Sequence, residues 1–181
     1  MAALAVYAPR YQIVAREAGT AFDPDRVAGS VVIETLAGNA TTEFGAPGMV
    51  AEEDRVPMSG RAMSRMLALV GAAWVVFDQV VAAAPAELRK GPRGGGRDRD
   101  QIVDHVLAAE MAYLRKLGVK HKAPAPRDGK MVAAIRDETL RRIGEGGSGE
   151  PLTERGWPVR YAARRIAWHV LDHAWEIEDR S

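Results

Sequence analysis

The feature that most constrains this chain is its last helical stretch, Tyr161 to Arg180. At a 3.6-residue period Ala162, Ile166, His169, His173 and Ile177 fall in one line. A helix with such a stripe must bury it against other elements, so the chain needs partner helices around it. Two imidazoles four residues apart sit inside the stripe. A buried ring needs partners for both nitrogens, and two adjacent rings need a shared reason. A bound metal ion is one such reason, and His105 is the third candidate member.

The partner helices are predicted upstream. Ser59 is a candidate N-cap after Pro57, and Met63, Met66, Leu67, Val70, Trp74, Phe77 and Val81 follow at helical spacing, giving a helix over 60–84 ended by Pro85. Its Met and aromatic stripe reads as core packing. Asp98 or Asp100 caps a second helix over 99–117, with Ile102, His105, Val106, Ala109, Tyr113 and Leu117 inward and Gly118 at its end. Asp128 starts a third over 129–144, with Val132, Ile135, Thr139, Leu140 and Ile143 inward. Pro158 suits the first turn of the fourth, which runs to about Arg180.

Residues 1–57 read differently. They carry 4 basic and 8 acidic side chains, against 21 and 16 in the remainder. Tyr11 to Ala15 and Ser30 to Thr35 are β-branched and aromatic runs between turn signals. Ala28 to Leu36, Gly38-Asn39 and Ala40 to Phe44 read as a hairpin. A small β-containing extension is therefore expected at 1–57, packed on a helical domain at 58–181 or on a partner, since it is too small to stand alone. Arg89 to Arg99 and Gly144 to Gly149 read as flexible loops, and His121 as an exposed loop residue.

Composition excludes some chemistry. The chain has 181 residues, no cysteine and a net charge of +1. Disulfides, thiolate metal sites and a cysteine nucleophile are absent, and no electrostatic footprint for nucleic acid exists. The N-terminus lacks a secretory signal, and the longest apolar run, Leu67 to Phe77, ends at Asp78. A cytoplasmic protein with no membrane partner is expected.

Three neutral imidazoles, His105, His169 and His173, would leave coordination positions open, as catalytic sites do. The set suits Zn, Ni or Fe, and ligand type alone does not choose. The sequence HVLDH is not HExxH, because the metalloprotease glutamate is missing. No paired ExxH motifs support a di-iron site. Asp104, Glu110, Asp172 and Glu176 are candidate acceptors for the rings or surface partners of Arg165 or Arg180, with the surface reading preferred for Asp172. Trp168 and Trp175 read as packing residues.

Asp104-His105 to Glu110 followed by Trp168-His169-Val170-Leu171-Asp172-His173-Ala174-Trp175-Glu176 resembles the DinB/YfiT-like metalloenzymes over about residues 58–181. The resemblance implies a mainly α, DinB-like four-helix bundle that binds a divalent metal through His105, His169 and His173. That family includes S-transferases using mycothiol, bacillithiol or glutathione. The N-terminal extension is not part of its minimal bundle, and no motif here selects a thiol.

Two functions follow as expectations. One is a metal-dependent enzyme that transfers a low-molecular-weight thiol to an electrophile, or hydrolyses a substrate by the same logic. Arg160, Arg164 and Arg165 are then candidates to meet an anionic thiol or form a solvated basic face. The other is a non-catalytic helical module with structural histidines, its N-terminal unit mediating homodimerisation.

Overall fold

The computed structural model describes residues 2–43, 45–91, 95–120 and 128–181. Helix dominates them: α1 (Ala2–Glu17), a single turn α2 (Ala40–Glu43), α3 (Gly60–Ala83), α4 (Arg99–Lys116), α5 (Gly129–Gly144) and α6 (Val159–Arg180). Two 3-10 turns lie at Pro24–Gly29 and Glu52–Arg55.

Local chemistry sets the helix ends. Ser59 Oγ accepts the Ala62 N–H at 3.3 Å, and Asp128 Oδ1 accepts those of Lys130 and Met131 at 3.1 and 3.2 Å. At the start of α4, Gln101 Oε1 accepts the Asp98 N–H at 2.9 Å. These contacts satisfy amides that a first helical turn leaves open. At the other end of α4, Gly118 takes φ +87°, and the Leu117 carbonyl accepts Arg142 at 2.9 and 3.0 Å.

Helix α6 packs against α3, α4 and α5, and α3 packs in turn against α1, α5 and α6. Val70, Trp74 and Phe77 of α3 share one core with Ile102 and Val106 of α4, Ile143 of α5, and Ile166, Val170 and Ile177 of α6. A smaller cluster joins Met111 and Leu114 of α4 to Ile135 of α5. Thus α4 buries two stripes, one toward α6 and one toward α5. By length and composition α3 could cross a membrane, although the sequence shows no single apolar run of that length. Here part of its surface is buried in the common core.

The N-terminal reading is corrected: no strand occurs among the described residues. Tyr11 to Ala15 belong to α1. The helix brings Ala8, Tyr11, Val14 and Ala15 to one face, with Val14 and Ala15 only 1% exposed. Packing of that face on α3 overrides the β-propensity of the run. The expected hairpin turn is instead a helix cap. Asn39 Oδ1 accepts the N–H groups of Thr41 and Thr42 at 2.9 and 3.2 Å, so Ala40–Glu43 coils into a turn. Phe44, the last residue of that expected strand, lies outside the described residues. Residues 30–39 have no regular structure, and Val31 and Ile33 are exposed.

The two loops read as flexible are tied down where they are described. The Met58 N–H donates to the Gly147 carbonyl at 2.8 Å. Gly149 has φ +90°, and a Cβ there would stand 1.9 Å from the Arg55 carbonyl oxygen, so only glycine lets the two segments approach. Arg89 and Arg180 exchange hydrogen bonds, and Arg180 also reaches the Arg97 carbonyl at 2.8 Å. Residues 92–94 of that loop, and His121, lie outside the described residues.

Candidate metal centre

Helices α4 and α6 bring His105, His169 and His173 together. One ring nitrogen from each lies within 4.8 Å of the others. The ring centroids are 5.1 Å apart for His105 and His169, 4.9 Å for His105 and His173, and 4.6 Å for His169 and His173. His169 and His173 are buried and His105 is half-buried. The cluster therefore has one better-exposed member on α4 and two enclosed members on α6.

His105 Nε2 and His169 Nε2 stand 3.3 Å apart. Two nitrogens each about 2.05 Å from a tetrahedral ion lie about 3.3–3.4 Å apart, so this spacing fits two ligands of one ion. It also permits an N–H to N hydrogen bond. Burial, then the imidazoles of His173 and His105, then the guanidinium groups of Arg165 and Arg97, push His169 down to about 3. Burial first, then Arg97 and His173, lowers His105. Both rings are thus held neutral at pH 7, the state that coordinates a cation. The residues fit a divalent metal in donor type, protonation and spacing.

His173 is oriented through a chain of contacts along α6. Its Nδ1 lies 2.8 Å from Glu176 Oε2, and Glu176 Oε1 accepts Arg180 Nη1 at 2.5 Å. A carboxylate on Nδ1 holds the ring proton there, leaves the Nε2 lone pair free to coordinate and raises its basicity. The sequence left Glu176 between ring acceptor and Arg180 partner, and it is both. The i,i+3 and i,i+4 spacings from His173 to Glu176 to Arg180 carried that signal.

The other acidic candidates lie elsewhere. Asp104 and Asp172 are exposed. Glu110 is buried at 4% exposure and accepts Trp74 Nε1–H at 2.7 Å, with Arg136 Nε 3.7 Å away. It ties α4 to α3 and α5 and does not touch the imidazoles. Burial raises its carboxyl against the attraction of Arg136.

Of the three arginines early in α6, two are taken by the N-terminal segment. Arg160 pairs with Glu53 at 3.0 Å and Arg164 with Asp54 at 2.5 Å. Arg165 instead lies over the rings of Trp168 and Tyr113, at 5.0 and 5.8 Å. Tyr113 is 5.7 Å from His169 and 5.4 Å from Trp157. Trp175 packs, as expected, stacked on Tyr7 at 4.9 Å. Trp157 and Arg97 carried no local pattern that marked them as neighbours of the site. An open cleft of about 320 Å³ between α3, α4 and α5 is lined by Phe77, Val81, Leu107, Val132 and Arg136, not by the histidines.

Compared with protein-family models, with curated proteins and with solved structures, the chain matches none.

Proposed function

We propose that this chain is a DinB-like helical-bundle metalloenzyme whose divalent cation is held by His105, His169 and His173. The carrying observation is the convergence of three largely enclosed imidazoles, two with nitrogens at the spacing of ligands to one ion. Zinc, nickel and iron suit the donor set. A cation bound there would lower the pKa of a coordinated thiol or water and so supply a nucleophile at neutral pH.

The chain's own residues supply the frame. Glu176 and Arg180 hold the His173 ring, while Ile166, Val170 and Ile177 fix α6 in the core. His105, the most exposed of the three, is on the side from which a small molecule enters. The substrates this reading favours are a low-molecular-weight thiol and an electrophile, in the cytoplasm.

Elemental analysis of untagged protein purified without chelator tests the reading. Wild type should carry near-stoichiometric metal, and His105→Ala and His169→Ala should lose it while remaining folded. Glu176→Gln should weaken metal affinity about 10- to 100-fold. Metal content unchanged in both histidine variants would sink the proposal.

A second reading rests on the exposed apolar residues Leu4, Val6 and Ile13 of α1 and on Val31, Val32 and Ile33. It makes the chain a non-catalytic module that dimerises through its N-terminal segment, with His105 and His169 joined by a hydrogen bond. Wild type that takes up no metal even after incubation with zinc or nickel would favour it.

A further inference from the structure

Two buried nitrogens beside the histidine cluster have no hydrogen-bond partner among the described residues: Arg165 Nη1 and His169 Nδ1. They belong to residues i and i+4 of α6, on adjacent turns of one face. Nε2 of His169 faces His105. With Nε2 serving as a ligand, the ring proton sits on Nδ1, so both orphaned atoms are donors. A buried unpaired donor costs about 1–3 kcal/mol, and more when charged. Two of them together call for an acceptor that the described residues do not provide.

Beside a charged guanidinium an anion suits that role. Arg160, Arg164 and Arg180 of the same helix each pair with a carboxylate of this chain. Arg165 makes no such pair among the described residues, yet its guanidinium is held in place by Trp168 and Tyr113. The flanking rings and a hydrogen bond with the Tyr113 hydroxyl fix the guanidinium and leave its Nη1 without a partner among the described residues. Exposed Arg97, whose charge is felt at both His105 and His169, adds positive potential at the same place. The aromatic walls, extended by Trp157 beside Tyr113, suit an apolar body attached to the charged group.

We propose that the site binds a small organic carboxylate, its oxygens received by Arg165 Nη1 and His169 Nδ1 and its apolar body lying along Tyr113 and Trp157. The inference rests on the metal reading of the three histidines, which places the His169 proton on Nδ1.

Isothermal titration of the full-length, zinc-loaded protein with phenylacetate tests it, with phenylacetamide as the neutral counterpart. Zinc content is measured on every sample. Wild type should bind phenylacetate saturably and phenylacetamide far more weakly. Arg165→Met, which keeps the stem packed between the rings, should weaken phenylacetate binding about tenfold or more, the loss of one charge-assisted hydrogen bond, with zinc retained. Arg165→Lys should recover part of the affinity, and Arg115→Ala, on the exposed face of α4, should leave it unchanged. Equal phenylacetate affinity in wild type and Arg165→Met with zinc bound in both would overturn the inference and leave the metal reading intact. No saturable binding by wild type would overturn it too. Arg165-dependent binding by a protein that takes up no zinc would remove the metal reading and, with it, the His169 Nδ1 donor, and so overturn the two-donor site assigned here.

Discussion

At the scale of single residues, the pH behaviour of His169 follows from where it sits. Burial and its charged and imidazole neighbours hold it at about 3 in the folded protein, against roughly 6.5 when unfolded. Between those values the unfolded chain binds more protons than the native one. Stability of the metal-free protein should therefore fall as pH drops through about 6.5 and continue falling toward about 3. Glu110 has the opposite sign, because its folded carboxyl is raised by burial and protonation relieves the native state. The contribution of His169 is isolated by comparing wild type with His169→Gln. Urea midpoints measured at about pH 7.5 and 5 should drop more in wild type than in the variant. Equal drops would show that His169 is not held neutral by the fold.

At the scale of the element, α6 is the central piece, touching α3, α4 and α5 at once. Ile166 is 2% exposed and Ile177 is fully buried, on either side of the two histidines. Ile166→Ala leaves a cavity where three helices meet and should cost about 2–5 kcal/mol in chemical denaturation. Glu178→Ala, on the exposed side of the same helix, should stay within about 0.5 kcal/mol. A small effect at Ile166 would mean that α6 does not hold the core together. Helix α4 shows a different economy. Its stripe toward α6 carries His105, and its second stripe, Glu110, Met111 and Leu114, faces away from the site and ties it to α3 and α5.

At the scale of the whole molecule, the N-terminal segment is clamped to α6 by polar contacts. Asp54 is 3% exposed, receives Arg164 at 2.5 Å and accepts the Ala51 N–H at 2.8 Å. Tyr161 OH donates to the Pro47 carbonyl at 3.1 Å. Asp54→Ala leaves the Ala51 amide and the Arg164 guanidinium without that acceptor. It should destabilise the protein by about 1–3 kcal/mol and speed limited proteolysis between residues 45 and 58. An unchanged proteolysis rate would show that this clamp does not hold the segment. Val14 carries the same union through packing, since it joins the core shared by α3, α4, α5 and α6.

The sequence by itself determined four of the five long helices, α3 to α6, and the inward positions of His105, His169 and His173. Caps such as Ser59 and Asp128 and apolar spacing along one helix are local signals that survive in any tertiary context. It did not determine residues 1–43. Tyr11 to Ala15 has β-branched character, yet a face that matches α3 decides for helix, and Asn39 caps a turn where a hairpin was expected. Only tertiary structure decided that Glu110 bonds Trp74 and not a histidine, that Asp54 takes Arg164, and that Arg165 rests between Tyr113 and Trp168 without a carboxylate among the described residues. Each of these pairings joins residues from different elements. Sequence periodicity fixes which face a side chain occupies, but the partner on the opposite element is set by how the helices dock.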